Sequence, residues 1–310
     1  MIWLTYQNLI NNIYRFPRSK IQYIQKLGGL RSYLILLWNT KLMEKSSHKI
    51  SKVISYDDGH PIYFLTGNKY YCQTIYCIRS LITVSSEKFK FILVDDGSFD
   101  SAMIKEIEHQ IHNVIIIDQE LISKNIEVKL PKSQYPLLHK KREEYPHIKK
   151  LTDIHTLDGD WKIVLDSDML FWDSPSELID WIKAPGCNIY MRDCVQSYGY
   201  STRLMEKLCG NRVPELVNVG IIGLNSNDID WEDLEVWCKN LEENEGTSYY
   251  LEQAITAMLL SRNPGVALSP QTYIVNPTAR QVEKANGILH HYVDLSKVHY
   301  FNLAWKKIML

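Results

Sequence analysis

The sequence is poor in the features that would mark a membrane-spanning, secreted or zinc-finger protein. Its 310 residues contain no run of ~18 apolar residues, so no transmembrane helix is evident. The opening residues do not combine a charged segment with an apolar core, so we expect no signal peptide. Six cysteines are scattered without a Cys-x-x-Cys pair, which argues against a zinc site or a disulfide framework. These absences favour a cytoplasmic protein.

Net charge is also small, but the charge is unevenly distributed. A total of −1 gives no reason to expect nucleic acid as a partner. Residues 1–50 hold eight Lys or Arg against the single acid Glu44, a balance of +7, which leaves −8 for the remainder. We predict that residues 1–55 form a basic, amphipathic helical extension. This composition is typical of a helix that lies peripherally on an anionic membrane surface, and equally of a helix packed on the main domain.

The rest of the chain, residues 56–310, reads as one α/β domain. Apolar runs bounded by polar residues alternate with helical patterns, which predicts a mostly parallel sheet flanked by helices. The predicted strands are 62–67, 89–94, 114–118, 162–165, 187–192 and 216–225. The predicted helices are 69–83, 102–111, 147–157, 231–241 and 249–260. Residues 119–146, which are polar and contain three prolines, are predicted to be a long loop or short irregular segments.

The strand that begins at Lys162 ends in two carboxylates one residue apart, Asp166 and Asp168. Ligands of open α/β sheets bind beyond the carboxyl ends of the strands. Two acids at that edge suit a hard cation such as Mg²⁺ or Mn²⁺, which prefers oxygen ligands and often bridges to phosphate. The alternative is that both aspartates only end the strand and cap the next helix.

A second acidic run, Asp95-Asp96-Gly97-Ser98, closes the strand 89–94. Acids at this edge suit recognition of a nucleoside base or ribose. The same four residues are also ordinary turn formers, and the run alone does not decide between the two interpretations.

Taken together, these motifs resemble the GT-A fold of nucleotide-sugar-dependent glycosyltransferases over residues 61–305. The resemblance is carried by the opening strand 62–67, by residues 94–98, and by Leu165-Asp166-Ser167-Asp168 with Phe171. It implies a Rossmann-like sheet and a divalent metal held on the donor diphosphate by Asp166 and Asp168. It also implies donor contacts, with a UDP-sugar as the expected donor, from the following residues: Thr66, Asp95, Asp96, Asp166 and Ser167.

Near the C-terminus, His291 and Lys297 resemble the His-x₅-Lys element of glycogenin-like and lipopolysaccharide galactosyltransferase-like enzymes. This implies that His291 completes a Mn²⁺ or Mg²⁺ shell and that Lys297 contacts the diphosphate, roles that suit an imidazole and an ammonium. The sequence departs from the family by carrying Asp294 where glycine is usual and by lacking Pro-Trp after the lysine. His290 is adjacent, so either imidazole could be the ligand.

Three further pairs match positions near the donor or acceptor in this fold. Lys150 and Asp153, before the Asp-x-Asp strand, are expected near the donor, with a solvated ion pair between them as the alternative. Asn218 and Gly220 resemble the Asn-x-Gly strand that lines the acceptor side. Glu252 or Gln253, at a helix start, is expected to be catalytic, either as a general base in an inverting enzyme or beside the anomeric carbon in a retaining one.

The sequence therefore predicts a metal-dependent glycosyltransferase, most simply a hexosyltransferase, that acts on a glycan or a lipid-linked acceptor. One alternative is a non-catalytic carbohydrate- or nucleotide-binding protein of the same fold. Another is an Asp-x-Asp phosphatase, which is disfavoured because three strands precede the motif instead of following it. A nucleotidylyltransferase should carry a glycine-rich loop after its first strand, and Thr66-Gly67-Asn68 is too poor in glycine.

Overall fold

The computed structural model describes residues 16–309 and has two layers of helices around a central sheet. The strands are β1 (Val53–Ile54), β2 (His60–Thr66), β3 (Phe89–Asp95), β4 (Ile111–His112), β5 (Ile115–Ile117), β6 (Trp161–Leu165), β7 (Met169–Phe171), β8 (Asn188–Arg192), β9 (Val217–Asn225), β10 (Gly265–Ala267), β11 (Tyr273–Val275) and β12 (Leu289–His291). The helices are α1 (Phe16–Lys26), α2 (Leu30–Ser47), α3 (Tyr71–Val84), α4 (Ser101–Gln110), α5 (Gln119–Lys129), α6 (Pro136–Glu144), α7 (Lys149–His155), α8 (Ser176–Lys183), α9 (Thr202–Cys209), α10 (Trp231–Glu245), α11 (Leu251–Arg262), α12 (Ala279–Lys284), α13 (Lys297–His299) and α14 (Trp305–Ile308).

The central sheet has the order β10-β8-β9-β6-β2-β3-β5. Neighbours β6, β2, β3 and β5 are parallel, as are β10 and β8, whereas β9 runs antiparallel to both of its neighbours. The mostly parallel sheet expected from the strand–helix alternation is thus confirmed. Because β2, β3 and β6 point the same way, the residues that follow them meet at one edge of the sheet.

Both faces of the sheet are covered by apolar side chains. Along β2, Ile62 and Phe64 pack in one hydrophobic cluster with helix α3, whereas Tyr63 packs in the other with α5 and α11. This alternation follows from the two-residue period of a strand. Burial on both faces explains why β3 reads in the sequence as an almost continuous apolar run.

A second sheet of three short strands lies beside the carboxyl edge of β6. Its order is β11-β12-β7, and β12 runs antiparallel to β7 with His291 opposite Met169. The backbone N–H of Tyr292 also donates to the carbonyl of Asp168 at 2.9 Å. This pairing was not predicted, and it brings the end of the chain to the residues that follow β6.

The predicted loop at 119–146 is wrong, because most of it forms helices α5 and α6. Asp118 caps α5 by accepting the Leu121 N–H at 2.9 Å, and Ile122 and Ile126 bury one face of that helix. Pro136 is the first residue of α6, a position where its missing N–H costs nothing. The prolines therefore bound helices here instead of excluding them.

The basic N-terminal segment is helical where the structure describes it. Helix α2 packs on the C-terminal segment: Asn39 Nδ2 donates to Asn302 Oδ1 at 3.0 Å, and Lys306 Nζ donates to Asn39 Oδ1 at 2.9 Å. The part of the predicted extension at residues 1–15 lies outside the described residues. Among residues 16–309, none of the helices has both the length and the apolar character needed to cross a bilayer.

Candidate active site

The carboxyl ends of β2 and β6 are joined by a chain of hydroxyl groups. Thr66, the last residue of β2, lies with its Oγ1 2.8 Å from Thr74 Oγ1 on α3. The same Thr74 oxygen is 2.8 Å from Ser167 Oγ, between the two aspartates of the Asp-x-Asp motif. Thr66, Thr74 and Ser167 are all buried, so this chain fixes the motif relative to the first strand.

The acidic run after β3 forms a tight loop next to this chain. Asp95 Oδ1 accepts the N–H groups of Gly97, Ser98 and Phe99 at 2.8 to 3.1 Å. Asp96 Oδ1 accepts the Ser98 hydroxyl at 2.6 Å. A side chain at Gly67 would meet that carboxylate, since a Cβ there would lie 2.1 Å from Asp96 Oδ1. Both aspartates thus shape the loop, as turn chemistry predicts, at the edge where a donor is expected.

Asp166, Asp168 and His291 converge at the centre of the edge. His291 Nε2 lies 3.3 Å from Asp168 Oδ1 and 3.7 Å from Asp166 Oδ2. One ligand atom from each residue lies within 4.8 Å of the other two. Two carboxylates and an imidazole nitrogen form a donor set that suits Mn²⁺ or Mg²⁺, so these residues fit the metal implied by the resemblance.

His290 is directed away from this cluster, because successive side chains of a strand lie on opposite faces. Its Nε2 is 2.6 Å from the carbonyl of Asn286 and its Nδ1 is 3.2 Å from the Tyr292 hydroxyl. Burial lowers the pKa of His290 to about 4, so it is a neutral residue of the core. Of the two adjacent histidines, His291 is the one that faces the aspartates.

Two lysines lie on either side of the carboxylate pair. Lys150 Nζ is 2.6 Å from Asp166 Oδ1, and Lys297 Nζ is 3.1 Å from Asp168 Oδ2. Burial lowers the pKa of both lysines, but the neighbouring carboxylates outweigh it and raise the pKa of each above its ordinary value. Burial likewise opposes ionisation of Asp168, yet its neighbours, the Lys297 ammonium among them, hold its pKa below the usual range. Both lysines therefore stay charged.

Glu252 and Gln253 begin helix α11 close to Lys150. Glu252 Oε2 lies 3.8 Å from Lys150 Nζ, and Glu252 Oε1 is buried without a hydrogen-bond partner. Burial raises the pKa of Glu252 to about 7, with the lysine opposing that shift. Gln253 Nε2 donates to the Val217 carbonyl at 2.7 Å. Glu252 is thus a carboxyl group that exchanges its proton near neutral pH.

Asp153, expected near the donor together with Lys150, is instead fully buried behind the site. Arg142 on α6 donates two hydrogen bonds to the Asp153 carboxylate, from Nε to Oδ1 at 2.7 Å and from Nη2 to Oδ2 at 3.0 Å. Lys150 points to Asp166, so the alternative of a solvated Lys150–Asp153 pair is wrong. Their three-residue spacing predicted that Lys150 and Asp153 share a helix face. It could not predict that Lys150 pairs with Asp166 and Asp153 with Arg142.

Asn218 and Gly220, predicted on the acceptor side, contact His291. Asn218 Oδ1 is 3.0 Å from His291 Nδ1 and also accepts the Gly220 N–H at 3.0 Å. A Cβ at Gly220 would lie 2.5 Å from the His291 ring.

Sequence reasoning missed Asp193, whose carboxylate accepts hydrogen bonds from Asn218 and Gln253. Its position directly after strand β8, like Asp166 after β6, was the signal that could have found it.

One of the two departures from the family pattern, Asp294 in place of glycine, has a conformational explanation. Asp294 has a φ of +45°, in the left-handed region where glycine is favoured. Aspartate is among the non-glycine residues that adopt this region most readily. The turn that carries the chain from His291 to Lys297 is therefore formed without the glycine.

No family model matches the chain, and no curated protein matches it in sequence. Solved structures do match. LgtC, a galactosyltransferase solved with donor and acceptor sugar analogues, aligns at 15% identity over 81% of this chain and 96% of its own, with a TM-score of 0.51. The bifunctional glycosyltransferase WbbM, solved in its apo form, aligns at 12% identity over 82% of this chain, with a TM-score of 0.50.

This protein has the GT-A fold. At these identities the likeness concerns the fold, and the chain spans about half of WbbM, 52% of its length. Within that GT-A fold, the Asp-x-Asp pair lies at the carboxyl edge of the sheet beside His291, as the sequence resemblance implied.

Proposed function

We propose that this protein is a metal-dependent glycosyltransferase that moves a hexose from a nucleotide-diphosphate donor, a UDP-sugar in the first instance, to a hydroxyl of a glycan or lipid-linked acceptor. The observation that carries this proposal is the convergence of Asp166, Asp168 and His291 between two charged lysines at the edge of a GT-A sheet. A carboxylate–imidazole cluster bounded by cations suits a ligand that brings both a metal ion and an anionic diphosphate.

Asp166, Asp168 and His291 would hold the ion, which when bound would neutralise the charge that develops on the leaving nucleoside diphosphate. Lys297, whose side chain is 41% exposed, can reach both Asp168 and a diphosphate. Lys150 is buried and holds Asp166 in place. Donor contacts by Thr66, Asp95, Asp96 and Ser167 stay predictions, supported by their common edge, whereas Asp153 is buried behind that edge.

Glu252 is proposed as the general base that takes the proton of the acceptor hydroxyl. Its buried carboxyl group, with a pKa of about 7 and one oxygen without a partner, can accept a hydrogen bond from a hydroxyl that enters the site. Gln253 is held beside it by the Val217 carbonyl. Acceptor contacts by Asn218 and Gly220 also stay predictions.

The test is release of nucleoside diphosphate from a panel of UDP-, GDP- and CDP-sugars with Mn²⁺, with Mg²⁺ and with EDTA. We expect turnover of one donor class, lost in EDTA and lost in Asp168→Asn. The matched control is Asp173→Asn, which removes an exposed carboxylate five residues along the chain and should leave turnover unchanged. No turnover under any of these conditions would favour the non-catalytic binding protein.

We further propose that the acceptor is presented at an anionic membrane, which the N-terminal helices contact peripherally. Helix α2 exposes Trp38 (71%), Leu30 (61%) and Leu34 (56%) to solvent, and residues 1–50 carry the +7 charge balance. Exposed apolar side chains among basic residues are typical of an interfacial helix. Burial raises the pKa of Tyr23 on α1 and the Lys297 ammonium opposes that shift, so Tyr23 lies near this lysine.

Sedimentation with phosphatidylglycerol/phosphatidylcholine vesicles tests the membrane contact. Full burial of a Leu or similar side chain contributes ~1.5–3 kcal/mol, so Leu34→Ser with Trp38→Ser should weaken binding by at least ~10-fold. The control is Val128→Ser, a 75% exposed apolar residue on α5, which should bind as the unaltered protein does. Equal vesicle binding by the Leu34→Ser/Trp38→Ser variant and the Val128→Ser control, or no binding by the unaltered protein, would refute the membrane contact.

A further inference from the structure

Behind the carboxylate cluster, a chain of side-chain hydrogen bonds leads away from His291. Asn218 Oδ1 lies 3.0 Å from His291 Nδ1, and Asn218 Nδ2 donates to Asp193 Oδ2 at 3.0 Å. Gln253 Nε2 donates to the same Asp193 oxygen at 3.3 Å and to the Val217 carbonyl at 2.7 Å. Asn218 and His291 are both buried, so water does not compete for these bonds.

The partners of Asn218 determine which way its amide points. Its Oδ1 accepts the backbone N–H of Gly220 at 3.0 Å, and its Nδ2 faces a carboxylate, which accepts when ionised. The oxygen, not the nitrogen, therefore faces the imidazole. Because an amide oxygen can only accept, His291 Nδ1 must carry the hydrogen.

The opposite nitrogen of the ring then has a defined state. In a neutral imidazole with a hydrogen on Nδ1, Nε2 carries a lone pair. That nitrogen lies 3.3 Å from Asp168 Oδ1 and 3.7 Å from Asp166 Oδ2, atoms that also only accept when ionised. Three acceptors that face one another call for a cation between them.

We propose that Asn218 is a positioning residue that holds His291 in the Nδ1–H tautomer, so that Nε2 is free to ligate the metal ion. This inference rests on the proposed function, because it concerns the same metal site. Gly220 also holds the ring in position from the side of β9. A Cβ there would lie 2.5 Å from His291 Cε1 and Nδ1, so only glycine lets the ring lie against that strand. Partners of this kind orient metal-binding histidines and set which nitrogen is free.

The tautomer can be measured directly by long-range ¹H–¹⁵N correlation spectra of histidine-labelled, metal-free protein at pH 9. His291→Gln assigns the signal by its loss. We expect the Nδ1–H pattern in the unaltered protein and its replacement by the Nε2–H pattern, or a mixture, in Asn218→Leu and in the smaller Asn218→Ala. An Nε2–H pattern in the unaltered protein, or an unchanged pattern in both variants, would overturn the inference.

Asn188→Leu is the matched control, since Asn188 is a buried asparagine on the neighbouring strand β8 and donates to the Asn263 carbonyl. It should leave the His291 pattern unchanged, and a change of the same kind in this variant would show that general loosening of the sheet, not Asn218, sets the tautomer.

A double-mutant cycle on Mn²⁺ affinity, read from the electron paramagnetic resonance of free Mn²⁺, gives a second readout. We expect Asn218→Ala to weaken Mn²⁺ binding by ~10–100-fold. In the His291→Ala background the same substitution should have no further effect, because its influence passes through the ring. An equal loss in both backgrounds would overturn the positioning role. Absence of Mn²⁺ binding by the unaltered protein would instead refute the metal dependence, while the tautomer result would still decide the present inference.

Discussion

Gly220→Ala should disable the metal site by pushing the His291 ring away from the aspartates. The added Cβ would lie 2.5 Å from His291 Cε1 and Nδ1 and 2.9 Å from Asn218 Oδ1. Restoring ordinary carbon contact distances requires a ring movement of about 1 Å. Metal–ligand distances tolerate only about 0.2 Å, so the imidazole would be lost as a ligand.

Overpacking of this kind costs ~1–3 kcal/mol of folding free energy, and loss of an oriented ligand costs ~10–100-fold in metal affinity. The assay is Mn²⁺ affinity, paired with the free energy of unfolding from chemical denaturation. Gly220→Ala should lower both quantities. The two measurements together separate local damage to the site from general destabilisation.

Two glycines provide matched controls. Gly223, on the same strand, would bring a Cβ to 2.5 Å from Trp181 and not against His291, so Gly223→Ala should lose stability but keep Mn²⁺ affinity. Gly186→Ala meets nothing within 4 Å and should change neither quantity. If Gly220→Ala destabilises the fold yet binds Mn²⁺ normally, His291 is not a ligand and the reasoning fails.

Three further outcomes are expected. The kcat/KM of the unaltered enzyme should rise with pH through an apparent pKa near 7, because a base acts only after losing its proton, and this limb should vanish from the pH–rate profile of Glu252→Gln. Lys297→Ala should lower kcat for donor cleavage by ~100-fold, and an unchanged kcat would remove the lysine from diphosphate binding. Arg142→Met should lower the free energy of unfolding, measured by denaturant titration, by ~3–5 kcal/mol, because it leaves the charge of the buried Asp153 unpaired. Adding Asp153→Leu to that variant should restore much of the lost stability.

The parts of the fold that were predictable are those with local signals. Strand β6 and its Asp166 are a buried apolar run followed by acids, and the edge rule for parallel sheets gives the position of the site. Helices α5 and α6 were missed because their apolar stripes are narrow and their prolines were interpreted as breakers. Strand β12 was missed because three residues carry no periodicity, and its pairing with β7 is decided by packing and not by sequence pattern.

The candidate metal-binding residues could be recognised from the sequence, whereas the residues that support them could not. Asp168 and His291 belong to recognisable spacings, whereas the bond between Asn218 and His291 joins residues that lie far apart in the chain. Asp153 shows the opposite error, since its position near the motif suggested a ligand contact, and burial against Arg142 decides its role. Partner choice among buried charges depends on three-dimensional distances that no spacing encodes.

The most direct test of a metal-dependent donor site is a thermal-shift panel of UDP-, GDP- and CDP-sugars, each with and without Mn²⁺, on the unaltered protein and on Asp168→Asn. A ligand that binds the folded state raises the melting temperature by mass action, so no acceptor is needed. The expected result is a rise with one base only, which requires Mn²⁺ and is absent in Asp168→Asn. A rise that is equal without Mn²⁺ or equal in the variant, or no rise with any donor, would contradict it.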